Sequence, residues 1–95
     1  MQSKAETYLG FCRRAGKLTT GVNAVRASRE RIFLLVADRA ASENCKKEIE
    51  KLAVKCGCAV VWTDELERLV GKAHCKLAGV REEHLAQALA KELQA

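Results

Sequence analysis

Hydrophobic residues follow helical spacing at the start of the chain. Ala5, Leu9 and Cys12 share one face if residues 4–15 form a helix. Gly16 comes next, and glycine readily adopts the left-handed conformation in which many helices end. The pattern therefore predicts a first helix that stops at Gly16.

A brief second helix is predicted from Val22 to Ser28, after a connector or short strand that covers residues 17–20. Threonine hydroxyls accept hydrogen bonds from the free N–H groups at a helix start. We therefore expect Thr19 or Thr20 to be the N-cap of this helix.

Continuous apolar runs of strand length follow in the middle of the chain. Residues 32–37 predict a central strand covered on both faces, and residues 59–62 predict a second buried strand. A helix is predicted between them, with Ser42 as its N-cap and Gly57 as its end. Residues 75–80 form a weaker candidate strand, because their run contains a lysine.

Two further helices are predicted around that weaker strand. Thr63 is a plausible N-cap for a short helix that has Asp64 and Glu65 in its first turn and ends at Gly71. The segment from Glu82 to Leu93 predicts a last helix with a buried leucine face.

The alternation of strands and helices along the chain indicates the fold class. It predicts an α/β protein, namely a three-layer α-β-α sandwich with a mixed, mostly parallel sheet of about four strands. The 95 residues leave room for a single domain covering residues 1–95, and 48% hydrophobic residues suffice for a core.

The charge is concentrated in one part of the chain. The formal net charge is +5, and residues 1–31 alone contribute +5. Such a cluster attracts polyanions, as in proteins that bind nucleic acids, although a solvated surface is the simpler interpretation. The longest apolar run has six residues and no secretory signal is present, so we expect a cytoplasmic protein that does not cross or bind a membrane.

Cysteines and motifs give little indication of catalysis. The five cysteines are an odd number, and Cys56-Gly57-Cys58 lacks the second cysteine pair of a zinc site, so we expect reduced thiols and no metal. Residues 10–18 resemble a phosphate-binding loop, but the glycine spacing and Leu18 do not fit. No dinucleotide-binding motif follows a strand, and no residue pair stands out as catalytic. We expect no cofactor and no enzymatic activity.

The start of the second helix is the strongest candidate site. Gly21 and Asn23 lie where backbone N–H groups are free, and this arrangement can receive a phosphate or a base edge. Asparagine offers both a donor and an acceptor, and Arg26 lies about one turn further along. An ordinary helix cap is the alternative interpretation of Gly21 and Asn23.

Several stretches together resemble a known family. These are YLGFCRRAGKL at residues 8–18, TGVNAV at 20–25, the strand at 33–38 and ASENCKK at 41–47. They are similar to the bacterial YlxQ-like proteins, which belong with the ribosomal protein seven-Ae/thirty-e family. The likeness runs from about residue 6 to residue 92. It implies a three-layer sandwich and non-catalytic binding of kink-turn RNA, including ribosomal RNA.

The resemblance also implies which residues bind RNA. The family uses a glycine and an asparagine at the start of the second helix, a glutamate beside them, a basic residue one turn on, and the loop after the fourth helix. Ala24 stands at the glutamate position, and Arg26 and Arg29 compete for the basic one. The expected RNA-binding residues are Lys17, Gly21, Val22, Asn23, Ala24, Arg26, Lys72, Ala73 and His74.

Two RNA hypotheses remain at this stage, together with an alternative from another class. Kink-turn recognition requires the site to work without the glutamate, whereas general binding of structured RNA needs only Gly21, Asn23 and the basic cluster, and is slightly favoured. The alternative is a protein–protein interaction module whose basic third meets an acidic protein. A substrate domain of the kind fused to RNA methyltransferases is a more remote interpretation. The oligomeric state is open, with a monomer expected.

Overall fold

Helices and strands alternate along the chain in the computed structural model, which describes residues 4–93. Within that range, five helices and four strands are present. They are α1 (Lys4–Arg14), β1 (Leu18–Thr20), α2 (Val22–Ala27), β2 (Leu34–Asp38), α3 (Glu43–Cys56), β3 (Ala59–Thr63), α4 (Leu66–Val70), β4 (Leu77–Val80) and α5 (Glu83–Leu93).

The four strands form one mixed sheet in the order β1-β4-β2-β3. β2 and β3 are parallel because α3 carries the chain back to the starting edge of the sheet. β4 runs antiparallel to both of its neighbours, β1 and β2. The mixed sheet is confirmed, but the expectation of mostly parallel pairing was wrong. Alternation of helices and strands does not reveal that β4 inserts between β1 and β2 in the opposite direction.

Helices cover both faces of this sheet, which confirms the three-layer α/β sandwich. Side chains of α1, α4 and α5 pack on one face, where they meet Leu34 and Val36 of β2. Helices α2 and α3 pack on the other face, where they meet Leu35 and Ala37. All five residues of β2 are buried, as expected for a central strand.

The exposure of the strands follows from their order in the sheet. β3 was predicted to be buried, yet Ala59 is exposed and Val60 and Trp62 are only partly buried. The reason is that β3 lies at an edge and has a neighbouring strand on one side only. β4, the weaker candidate, is fully buried because it lies between β1 and β2.

Glycine and serine caps set the ends of the helices as predicted. Gly16 has a φ of 70°, and the N–H of Lys17 donates to the carbonyl of Cys12 at 2.8 Å, which closes α1 in a Schellman motif. Ser42 Oγ accepts from the N–H of Cys45 at 3.2 Å, and Gly57 ends α3 in the left-handed conformation.

The threonine caps were predicted wrongly. Thr20 belongs to β1, where it pairs with Ala78, so the N-cap of α2 is the next residue, Gly21, and it provides no side-chain hydrogen bond. Thr63 ends β3, and its hydroxyl accepts from the N–H of Glu65 at 3.2 Å. Glu65 is the N-cap of α4. β3 extends one residue further than the sequence pattern indicates, whereas β1 ends at Thr20, within the predicted span of residues 17–20.

Candidate nucleic-acid interface

Gly21 connects β1 to α2 in a backbone conformation that favours glycine. Its φ is 95° and its ψ is 147°. A Cβ atom at this position would meet no atom within 4 Å, so backbone conformation and not space requires glycine. The Gly21 N–H donates to the carbonyl of Leu77 at 2.7 Å, which ties the start of α2 to β4.

The polar face of α2 is exposed. Arg26 donates to Asn23 Oδ1 at 3.3 Å and to Glu48 Oε2 at 2.9 Å. The carboxylate therefore compensates part of the Arg26 charge, although an exposed ion pair of this kind contributes only about 0–1 kcal/mol and yields readily to a phosphate. Ala24 is exposed and its methyl group cannot hydrogen-bond, whereas Val22 is partly buried against the α2–α3 core.

The loop between α4 and β4 comes next to the start of α2. Lys72 Nζ donates to Thr20 Oγ1 at 3.2 Å, although the two residues are 52 positions apart. Ala73 and His74 follow in this loop and are exposed, and His74 has a φ of 61°. The structure therefore brings together the two segments that the family resemblance assigns to RNA.

A buried thiol lies beneath this junction. Cys75 Sγ donates to the carbonyl of Leu77 at 3.3 Å, and the same carbonyl accepts from Gly21. Burial raises the pKa of Cys75, while the Leu77 backbone, the Lys72 ammonium and the Gly21 N–H act in the opposite direction. Cys75 thus fills the space under the loop as a neutral side chain, and the Leu77 carbonyl holds both segments.

Lys17 lies apart from this junction, at the opposite end of β1. The three residues of β1 separate it from Gly21, so four steps of extended chain span about 13 Å between the two Cα atoms. Arg81 fixes this end, because its N–H donates to the carbonyl of Lys17 at 2.8 Å and its Nη2 donates to the carbonyl of Gly16 at 2.6 Å. Lys17 is exposed beside the same edge strand but does not reach the start of α2 by any contact between described residues.

The clustered charge of the first third remains largely uncompensated at the surface. Its two acidic residues face arginines from elsewhere: Glu6 pairs with Arg68, and Glu30 pairs with Arg81. Within residues 4–93, five of its basic residues form no ion pair. These are Arg13, Arg14, Lys17, Arg29 and Arg31. The positive field inferred from the sequence is therefore present on the folded surface.

Sequence reasoning missed three residues that shape this region. Thr20 and Cys75 contact the loop and the start of α2, as described above. Arg13 Nη1 donates to the carbonyl of Val70 at 2.9 Å and lies 3.0 Å from the position that a Cβ on Gly71 would occupy. The only available signal was that Arg13 belongs to the basic cluster, because each of these contacts joins distant parts of the chain.

Two of the cysteines, Cys12 and Cys58, lack the lowered pKa of an activated nucleophile. Burial raises the pKa of Cys12 to about 11 and that of Cys58 to about 11, so both thiols are protonated near neutral pH. All five cysteines are free. Residues 4–93 contain no group of three His, Cys, Asp or Glu side chains that could hold a metal ion. Nor does this range contain a helix long and apolar enough to span a bilayer.

The fold has a counterpart among solved structures. A protein with unknown function from Bacillus halodurans C superimposes with a TM-score of 0.81 and is 24% identical in sequence. The match covers 99% of this chain and 100% of that chain. No family model and no curated protein matches the sequence. The comparison thus shows that the same fold extends over almost the whole length of both proteins.

Proposed function

We propose that this protein binds structured RNA, either a kink-turn or a similar shape, without catalysing a reaction. The observation that supports this most directly is the hydrogen bond between Lys72 and Thr20. It joins the α4–β4 loop to the start of α2, and the Leu77 carbonyl holds both segments from below. The resemblance assigns RNA contacts to these two segments, which the chain separates by about fifty residues.

Each part of the junction has a distinct role in this proposal. Lys72 at the junction and Lys17 at the opposite end of β1 are phosphate contacts, because a lysine is a flexible point charge that tolerates many phosphate positions. Asn23 reads a base edge, since its amide both donates and accepts. Gly21 leaves the backbone accessible, because no side chain projects from it beside the exposed polar face of α2. Arg26 exchanges Glu48 for a phosphate when RNA binds.

Ala24 determines how selective this site is. A glutamate at this position would accept a hydrogen bond from a guanine edge, and alanine cannot. Ala24 is exposed, and its methyl group offers no acceptor at that point of α2. The proposal is therefore recognition of RNA shape and backbone, with less selectivity among base sequences than the family shows. The proposed setting is the bacterial cytoplasm, with ribosomal RNA among the candidate partners.

A titration of labelled RNA tests this function. A kink-turn RNA and a straight duplex of equal length are compared at two salt concentrations, with the protein as a monomer checked by light scattering. We expect a preference for the kink-turn that survives the higher salt, because shape recognition adds to the salt-sensitive phosphate contacts. Equal binding that disappears with salt would overturn the proposal. That result would favour an acidic protein as the partner of the basic surface.

A further inference from the structure

A charged groove lies between α1 and α4, and its lining includes both residues of the Arg13–Gly71 contact. Its volume is about 330 Å³. Gly71 in its lining leaves room for Arg13, whose Nη1 lies 3.0 Å from the position that a Cβ on Gly71 would occupy. Its charged lining residues are three arginines and one glutamate, with a net charge of +2: Glu6, Arg13, Arg14 and Arg68.

The three arginines differ in what they bind. Arg68 donates to two carboxylates, Glu6 at 3.0 Å and Glu65 at 2.8 Å, so its charge is compensated. Arg13 donates to the carbonyl of Val70, which uses one of its five N–H groups. The Arg14 side chain forms neither a hydrogen bond nor an ion pair with any residue between 4 and 93. It is therefore the groove arginine with its full donor set available.

Arg14 is held in position by an aromatic ring. Its guanidinium lies 5.1 Å from the centre of the Phe11 ring, within the range of a cation–π contact. Phe11 is one of the few large apolar side chains at the surface of the described residues, and 48% of it is exposed. The stacked ring restricts the arginine side chain and leaves the edge of the guanidinium, where the N–H donors lie, free for an anion.

The groove is continuous with the candidate site through a short series of contacts. Arg13 lies against Gly71, and the next residue, Lys72, donates to Thr20 directly before Gly21. Positive side chains thus follow one another from the groove to the start of α2 without an intervening carboxylate contact to Lys72 or Arg13 in the described part of the chain. A polyanion leaving the site along this path meets Arg14.

We propose that the α1–α4 groove binds the phosphate backbone of an RNA helix that extends beyond the Gly21 site, with Arg14 making the direct contact. This inference rests on the proposed function and extends its surface. A planar guanidinium donates two parallel hydrogen bonds to a phosphate, and Arg14 has no competing acceptor. Arg13 and Phe11 are positioning residues, since one orders the groove wall and the other orders Arg14.

The test compares two RNAs that share one kink-turn but have either short or extended flanking helices. Arg14→Ala is the test variant, and Arg31→Ala is the matched control, because Arg31 lies 5.0 Å from the Phe33 ring centre and does not line the groove. We expect Arg14→Ala to bind the RNA with extended helices roughly threefold to tenfold more weakly than the wild type. The slope of log affinity against log salt concentration should fall by about one. The short RNA should bind Arg14→Ala and wild type equally.

Each other outcome overturns the inference in a recognisable way. Equal losses for Arg14→Ala and Arg31→Ala would mean that only the general positive field matters. Equal losses on both RNAs would place Arg14 at the kink itself, and no loss on either would leave the groove to another partner, such as an acidic peptide. A wild-type protein that prefers neither kink-turn RNA over a duplex would instead refute the proposed function. Circular dichroism checks that both variants fold.

Discussion

The two edges of the sheet differ in how their positive charges are compensated. At the β3 edge, the cations that line the neighbouring groove face carboxylates. Arg39 donates to Asp64 at 2.8 Å, and Lys46 lies 3.8 Å from Glu43. The strand itself exposes part of Trp62 to the same groove. This edge combines apolar surface with charges that are already paired.

At the β1 edge, Arg26 and Arg81 pair with Glu48 and Glu30, but three other cations have no carboxylate partner among the described residues. Lys72 donates to the neutral hydroxyl of Thr20, and Lys17 and Arg14 form no ion pair within residues 4–93. The two edges thus differ in how many of their cations are compensated, and net charge alone does not reveal this difference. What distinguishes the β1 edge is that Lys17, Lys72 and Arg14 are exposed and uncompensated, so a phosphate at these three side chains would not have to displace a carboxylate.

Replacing one glycine near each edge of the sheet should give the largest effects, and only the variant near β1 should lose RNA affinity. Gly21→Ala forces an L side chain to a φ of 95°, which costs about 1–3 kcal/mol of unfolding free energy. It should also weaken RNA binding, because the start of α2 shifts. Gly57→Ala, at the C-terminal end of α3 before β3, should cost a similar 1–2 kcal/mol through its left-handed φ of 65°.

Denaturant unfolding and RNA titration of the same two variants separate stability from binding. Gly57→Ala is the control for general destabilisation, and it should bind RNA like the wild type at temperatures where it is folded. If both variants lost RNA affinity equally, the start of α2 would have no special role, and the difference between the two edges would not concern RNA.

Features that depend on nearby residues could be predicted from the sequence, whereas features that depend on the tertiary arrangement could not. The caps at Ser42 and Gly57 depend on residues close in sequence, and the structure confirmed them. The exposure of β3 and the burial of β4 depend on strand order, which local patterns do not contain. The junction of Lys72 with Thr20 depends on how α4 ends above β1. Resemblance pointed to both segments, but only the fold brings them into contact.

The same limit applies to the individual cations. Seven basic residues in the first third were visible as a cluster, yet the sequence could not tell which would be paired. Arg26 meets Glu48, whereas Arg29 forms no ion pair within the described residues. The resemblance leaves Arg26 and Arg29 as competing candidates for the basic position, and the availability of charge favours Arg29. A long basic side chain can reach carboxylates on several elements, and the tertiary arrangement decides which of them lies close enough to pair with it.

Two substitutions at the β1 edge should separate a contact to a base edge from a contact to a phosphate. Asn23→Ala should cost roughly 1–3 kcal/mol of binding free energy on the preferred RNA only, because it removes a base-edge contact. Lys17→Ala should weaken binding to all RNAs and lower the salt dependence of the affinity by about one unit of slope, because it removes a phosphate contact. The measurement is a titration of kink-turn and duplex RNA over a salt series. Equal losses on every RNA would refute this division of roles.

Charge reversal tests the comparison between the edges directly. Lys72→Glu should weaken RNA binding about tenfold at low salt and change the salt slope by about two, since it removes one attraction and adds one repulsion. Lys46→Glu makes the same change in charge beside β3 and should alter the affinity much less. Fluorescence anisotropy at several salt concentrations gives both numbers. Similar losses for the two variants would mean that the RNA responds only to net charge.

The smallest expected effect is a gain. Ala24→Glu supplies the acceptor that the family has at this position, and Ala24 is exposed on α2, so the longer side chain has room. We expect binding to a kink-turn to tighten a few-fold, less than a full base contact because the new carboxylate also repels phosphates and lies near the Arg26–Glu48 pair. Ala24→Gln, which keeps an acceptor without the charge, is the control. Tightening with glutamine alone would show that repulsion dominates, and weaker binding of both variants would mean that Ala24 contacts a surface other than a guanine edge.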